Sequence, residues 1–159
     1  MDLRKMSDSA LEQMYRNCIE AIVRDKPTKA TAETRLEEIN AVWQARLGAA
    51  TAGQYKADSP EVGVLKTIGY RVGLDGLPLS GRRLRLDYVM SGVLPFVGSP
   101  THMHEWGEPL SPVRYRKLHR VLAGFATSAK SQGPHMVHAA EDWTEDLAYI
   151  ERVWKPQLR

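Results

Sequence analysis

Apolar residues recur every three or four positions in several segments of the chain, which is the spacing of one face of an α-helix. In the first segment this apolar stripe runs from Leu11 to Ile22. Ser9 and Glu12, three positions apart, form a capping-box pattern before it, and Pro27 follows it. We therefore predict a first helix over residues 9–24.

A second stripe runs from Ala32 to Leu47, with Thr31 placed to cap a helix and Gly48 placed to end it. Because the link between the two stripes is short, we predict an antiparallel helical hairpin over residues 1–48. The small, uncharged residues 48–54 indicate a flexible linker, which we place at 49–58.

The rest of the chain contains further helix starts. Ser59-Pro60 offers an N-cap and a first-position proline, which predicts a third helix ending near Gly69. Ser80 can cap a short helix that ends at Ser91-Gly92. Between Val93 and Leu110, three prolines and two glycines predict a long irregular loop.

Two longer helices complete the prediction. Ser111-Pro112 begins one of them, and Gly133-Pro134 ends it and begins the last. The apolar stripe of the first contains Leu118, Val121, Leu122, Phe125 and Ala129. The last carries Met136, Ala140, Trp143, Leu147, Ile150 and Trp154 on one side, and Glu141, Asp142, Glu145 and Asp146 on the other. No segment alternates as a strand does, so we predict an all-α protein, in which the hairpin precedes a four-helix module over 59–159.

Composition agrees with an ordinary globular domain. The chain has 159 residues, of which 43% are hydrophobic and 26% are charged. No apolar run approaches the ~18 residues of a membrane span, and the N-terminus lacks the apolar core of a secretory signal. The single cysteine, Cys18, lies on the first apolar stripe, where we expect a buried hydrophobe. We expect a cytoplasmic protein without a membrane partner.

The positive charge is concentrated in the middle of the chain. Residues 51–133 hold eleven basic and six acidic side chains, whereas residues 1–50 hold eight of each. An excess of this kind suggests an anionic partner. The candidate nucleic-acid-binding residues are the basic side chains of two predicted helices, Arg82, Arg83, Arg85, Arg116, Lys117 and Arg120.

We therefore expect a non-enzymatic accessory protein whose basic middle segment contacts the nucleic-acid backbone, within a larger assembly. The loops between the helices are too long for a helix-turn-helix motif. The alternative is a helical adaptor that binds protein or a second copy of itself, through the neutral hairpin on its flexible linker, the acidic side of the last helix or an exposed Trp106.

A third hypothesis is a metal-dependent enzyme that uses the loop with His102 and His104. His135 and His138 could join them, since imidazoles are common metal ligands. No dedicated metal, phosphate-loop or nucleophile motif occurs in the sequence, so we assign no catalytic residue, no metal ligand and no cofactor.

One pattern resembles a domain of uncharacterised bacterial proteins. Its parts are Gly69 to Gly73, Gly76-Leu77, Arg82-Arg83, Glu105 to Pro109 with Ser111 and Arg114, and the aromatic and acidic run Glu141 to Leu147. The resemblance covers residues 60–154 and implies a bacterial module. It implies no activity and no functional residue.

Overall fold

The computed structural model describes residues 1–50, 63–97 and 100–158, and the side chains of 47–50 are left out of the description. These residues form helices and no β-strand, which confirms the all-α prediction. The α-helices are α1 (Asp8–Val23), α2 (Lys29–Ala50), α3 (Val64–Ile68), α4 (Leu79–Ser91), α5 (Pro100–His104), α6 (Pro112–Ser131) and α7 (Val137–Val153). Single 3-10 turns lie at Leu3–Lys5, Pro134–Met136 and Lys155–Gln157.

The chain divides into two compact units. Unit 1 comprises residues 1–69 and 93–103, and unit 2 comprises residues 70–92 and 104–159. The predicted domain limits remain a prediction, because most of the linker placed at 49–58 lies outside the described residues. The same holds for the helix start predicted at Ser59-Pro60.

Unit 1 is built on α1 and α2, which run antiparallel. The rings of Tyr15 and Trp43 lie 5.4 Å apart, and Arg46 near the end of α2 bonds Asp8 at the start of α1. The side chain of Asn40 then holds the segment that follows α4, since its Nδ2 donates to Leu94 O at 3.1 Å and its Oδ1 accepts from the backbone N of Phe96 at 3.0 Å. The most deeply buried side chains of this unit come from α1, α2 and α3, and they include Leu11, Tyr15, Ile19, Leu36, Ile39, Val64, Leu65 and Ile68.

Several predicted helix ends in unit 1 need correction. The cap of α1 is Ser7, whose Oγ accepts from Ala10 N at 3.3 Å, rather than Ser9. Helix α2 begins at Lys29, before the predicted cap at Thr31, and it continues through Gly48 to Ala50. A glycine destabilises a helix by only about 1 kcal/mol, so it need not end one. The predicted end of α3 at Gly69 is confirmed, because this residue has the left-handed φ of 93°.

Unit 2 is built on α6 and α7, a second antiparallel pair against which α4 packs. Phe125 of α6 faces Trp143 of α7 with 5.2 Å between ring centres, and His119 of α6 bonds Glu151 of α7. Because the later residue of α6 meets the earlier residue of α7, the two helices run antiparallel. The predicted start of α6 is confirmed, since Ser111 Oγ accepts from the backbone N of Arg114 at 3.1 Å.

Three predictions in unit 2 are wrong in detail. The residue that precedes α4 is Pro78, so Ser80 lies inside the helix and does not cap it. The loop from Val93 to Leu110 contains one short helix, α5. Phe125, predicted as a core position of α6, is 42% exposed, because a 20-residue helix packed mainly on one side leaves the edge of its apolar stripe uncovered.

A buried arginine joins the start of α6 to the end of α4. Arg114 donates to the carbonyl oxygens of Val89 at 2.7 Å and Gly92 at 3.2 Å, and to those of Trp106 at 3.0 Å and Gly107 at 2.9 Å. Burial lowers its pKa from the usual arginine value. The guanidinium still supplies donors to carbonyls at the C-terminal end of α4, where the helix dipole favours a positive charge.

We expect Arg114→Met to destabilise the protein by about 3 kcal/mol or more, since it removes a buried cation and leaves four carbonyl groups without these donors. Urea denaturation followed by circular dichroism measures the change. Lys130→Met, at an exposed position of the same helix, should change the free energy of unfolding by no more than ~0.5 kcal/mol. Equal stability of the two variants would contradict this role of Arg114.

Candidate functional site

Arg82, one of the six predicted nucleic-acid-binding residues, lies in the interior of unit 2. The residue is 4% exposed, and its Nε donates to Asp146 Oδ2 at 2.8 Å. Its Nη2 lies 3.5 Å from Asp142 Oδ1 and 3.6 Å from Glu145 Oε2. The acidic side of α7, which was predicted to face away from the core, therefore provides the partners of Arg82.

Asp146 is the most deeply buried member of this cluster, with 0% exposure. Its Oδ2 also accepts from the hydroxyl of Tyr70 at 2.6 Å, and Asp142 Oδ2 accepts from the backbone N of Gly73 at 2.8 Å. Burial raises the pKa of Asp146, although the bonds from Arg82 and Tyr70 act in the opposite direction. The two carboxylates thus hold the segment before α4 against α7.

The other two arginines of α4 also make contacts within unit 2. Arg85 is 7% exposed and its Nη1 donates to Gly81 O at 3.1 Å. The guanidinium of Arg83 lies over the ring of Tyr149, 4.7 Å from its centre. The predicted surface of six cations is therefore not formed, because Arg82 and Arg85 are buried and the side chains of Arg82 and Arg83 contact α7.

Asp87 is a further polar residue of α4 that is used internally. Its carboxylate accepts from the hydroxyl of Tyr149 at 3.0 Å and from Nε1 of Trp154 at 2.9 Å. Burial, together with the bond to this carboxylate, raises the pKa of Tyr149 to about 12. The contact ties the C-terminal end of α7 to α4.

The predicted cations of α6 have two different environments. Lys117 is largely covered, bonds Glu105 Oε2 at 2.8 Å and lies 5.8 Å from the ring centre of Trp106. Trp106 itself is 2% exposed, so the core position is confirmed over an exposed anchor. Arg116 and Arg120 are exposed, and neither has an ion-pair partner within the described ranges of the chain.

Arg116 and Arg120 line an open groove of about 920 Å³ that follows one side of α6. The groove residues are Tyr115, Arg116, His119, Arg120, Ala123, Gly124, Thr127, Ser128, Ser131 and Lys155. No acidic side chain is among them, and Lys155 adds a third exposed cation. From Arg116 to Ser131 the helix rises by about 22 Å, at ~1.5 Å per residue.

The arrangement of charge in the groove has a small energetic cost. Arg116 and Arg120 are four positions apart on one helix, a spacing at which like charges destabilise a helix by about 0.2–0.5 kcal/mol. His119 is the one groove residue that pairs with a carboxylate, through its Nε2 at 2.8 Å from Glu151 Oε1. An anion bound in the groove would relieve the repulsion between the two arginines.

Further along α6 the groove is lined by small residues and hydroxyl groups. Thr127, Ser128 and Ser131 are exposed there, and a hydroxyl can donate a hydrogen bond to an anion. Ser131 Oγ donates to the carbonyl oxygen of Ser128 at 2.8 Å, and Ser128 Oγ accepts from the amide of Gln132 at 3.0 Å. The groove therefore combines cations at one end with neutral polar groups at the other.

Sequence reasoning missed Lys155 as a member of this site. The residue lies 35 positions after Arg120 in the chain, and only the antiparallel pairing of α6 with α7 brings it to the same groove. A prediction that packed the last two helices antiparallel along their length would have found Lys155, since residues near 119 and 151 then become neighbours.

The predicted histidine ligands have separate surroundings. His104, His135 and His138 are exposed, and His138 Nδ1 lies 3.9 Å from Glu141 Oε2. Within residues 1–50, 63–97 and 100–158 there is no group of three or more His, Cys, Asp or Glu side chains that could hold a metal ion. Cys18 is partly buried, and burial raises its pKa, which leaves the thiol protonated and weakly nucleophilic at neutral pH.

Comparison of the chain with family models, curated proteins and solved structures finds no match. In the part of the chain that the structure describes, no helix has the length and apolar character needed to cross a membrane.

We expect Arg82→Met to destabilise the protein by about 3–5 kcal/mol, since it leaves the buried Asp146 carboxylate without its guanidinium. Asp146→Asn introduced into the same chain should restore part of this loss, because a neutral amide is less costly to bury and can still accept from Tyr70. Urea denaturation of the two single variants and the double variant measures the coupling. Losses that simply add would show that the two side chains do not depend on each other.

We expect reversal of the groove charges, in Arg116→Glu/Arg120→Glu, to change the free energy of unfolding by less than about 1 kcal/mol, since both side chains are exposed and unpaired. Thermal unfolding followed by circular dichroism measures it. Arg82→Glu serves as the contrasting variant and should fail to fold, since it places a fourth carboxylate among three others. A large loss of stability in the groove variant would mean that these arginines have a structural role.

Proposed function

We propose that this protein is a non-enzymatic accessory protein that binds the phosphate backbone of nucleic acid along α6. The observation that carries the proposal is that Arg116, Arg120 and Lys155 are exposed cations sharing one groove, which no acidic side chain of the described residues lines. Guanidinium groups suit phosphates, because they offer paired donors to two oxygens.

The other predicted cations support this choice by contrast. Arg82, Arg83, Arg85 and Lys117 each have a partner inside unit 2, so their charge already has a structural use. Arg116 and Arg120 repel each other, and no described carboxylate pairs with them. Repulsion between side chains that no contact within the protein compensates is typical of a site that binds another molecule.

The shape of the groove favours a polymer over a single small anion. It is open to solvent along its length and extends over about 22 Å of α6, at ~1.5 Å per residue. Cations at one end and hydroxyls at the other offer successive donors to a chain of phosphates without reading its bases. The lone cysteine fits a reducing compartment, and a cytoplasmic location in a bacterium belongs to the same proposal.

The adaptor hypothesis receives less support from the described residues. Asp142 and Asp146 on the acidic side of α7 bind Arg82, and Trp106 is buried, so two of the three features that suggested a protein partner have internal roles. The third feature, the neutral N-terminal hairpin, is unaffected by these contacts. A protein partner is therefore an outcome of the test below rather than a second proposal.

We expect Arg116→Glu/Arg120→Glu to lose at least tenfold in affinity for a fluorescein-labelled DNA duplex and for an RNA of the same length at low salt. In the plot of log K against log salt concentration, the slope should become shallower by about 2, since two phosphate contacts are removed at ~0.9 each. Fluorescence anisotropy at four salt concentrations measures both quantities.

The matched control is Lys26→Glu/Lys66→Glu, which changes the net charge by the same amount at two exposed positions of unit 1. It should retain the wild-type affinity and slope within about twofold, because neither lysine lines the groove and a charge acts over only about 10 Å at ~0.1 M salt. An equal loss of affinity in both double variants would show that binding depends on the net charge of the protein and not on the groove. No binding by the wild-type protein, or binding only to anionic phospholipid vesicles, would overturn the proposal.

A further inference from the structure

Gly124 lies inside α6, on the lining of the groove described above. Glycine in the middle of a helix is destabilising relative to alanine, because its unfolded chain has more conformational freedom to lose on folding. Such a residue is normally explained by a backbone conformation or a close contact that a Cβ would prevent.

Neither explanation applies within the described chain. Gly124 has the ordinary conformation of a helical residue, and a Cβ added to it would meet no atom within 4 Å. Gly92 and Gly107 of unit 2 differ in this respect. A Cβ on Gly92 would lie 2.5 Å from the Tyr88 ring, and Gly107 has a φ of 62° with Val113 at 2.7 Å.

Gly124 lies at the middle of the groove, between its cationic and hydroxyl ends. It lies four residues after Arg120 and four before Ser128, so it separates the cationic end of the groove from the hydroxyl end. Both neighbours are on the same side of the helix one turn away. Because Gly124 has no side chain, the main chain of α6 forms the surface of the groove at this position.

We propose that the sugar–phosphate backbone of the bound nucleic acid crosses α6 at Gly124, where the missing Cβ lets it approach the main chain. This inference rests on the proposed function. Arg116 and Arg120 hold phosphates on one side of the crossing point, and the hydroxyls of Thr127 and Ser128 receive the strand on the other. Gly124 is therefore a determinant of binding, although it has no charge and no polar side chain.

The test uses the full chain, the same labelled DNA duplex and RNA, and two substitutions of different size. Gly124→Ala should raise the melting temperature by about 2–4 °C, because it improves the helix and meets empty space. It should also weaken binding by about threefold. Gly124→Leu should still fold, since its side chain points into the open groove, and it should weaken binding by at least tenfold. Gly81→Ala is the matched control, because Gly81 is also helical, its Cβ would make only ordinary contacts at 3.5 Å, and it lies off the groove.

The outcomes separate this inference from the proposed function. Wild-type affinity in Gly124→Leu, together with weakened binding in Arg116→Glu/Arg120→Glu, would overturn the role of Gly124 and leave nucleic-acid binding in place. Wild-type affinity in both variants would overturn the groove as the binding site altogether. A lower melting temperature in Gly124→Ala would show that glycine is needed by the fold and would also overturn the inference. Weakened binding in Gly81→Ala would mean that stiffening of the helices, rather than occupation of the groove, changes the affinity.

Discussion

The buried pair of Arg82 and Asp146 is the interaction on which the organisation of unit 2 depends. Asp146 is fully buried on α7, and it binds both the arginine of α4 and the hydroxyl of Tyr70 before that helix. A carboxylate and a guanidinium removed from water are unfavourable unless they meet with good geometry, so the pair permits only one register between α4 and α7. Asp146 is thereby committed to the interior of unit 2, whereas Glu141 and Glu145 on the same side of α7 stay exposed.

The predicted binding cations therefore fall into two groups, those with partners inside unit 2 and those without. The arginines of α4 have carboxylate, carbonyl or aromatic partners. Arg114 binds two carbonyl groups at the C-terminal end of α4 and two more at Trp106 and Gly107. Arg116 and Arg120 are left on the opposite side of α6, together with Lys155, along a groove without acidic residues. Charges that the fold has already neutralised cannot attract a polyanion, whereas the unpaired cations can. The location of the site thus depends both on which cations pair with the carboxylates inside unit 2 and on which cations are left exposed.

The sequence pattern noted between residues 60 and 154 includes residues that hold unit 2 together. Tyr70, Gly73, Arg82, Trp106 and Arg114 belong to this pattern, and each of them makes an internal contact of unit 2. A pattern of this kind describes how a module is held together and carries little information about a ligand. The candidate groove is formed by other residues, chiefly those of α6 beyond Arg114 and the 3-10 turn after α7.

The sequence by itself determined the helical class, the approximate positions of most helices and the cap at Ser111, because apolar spacing and N-capping act within one or two turns of the chain. It also predicted Arg116 and Arg120 as candidate binding residues, and both side chains are exposed. Only the tertiary structure decided that Arg82 and Arg85 are buried, that Phe125 is partly exposed and that Lys155 joins the groove. Whether a charged side chain is paired or free depends on which helix lies beside it, and residues 64 positions apart, as in Arg82 and Asp146, leave no local trace of that pairing.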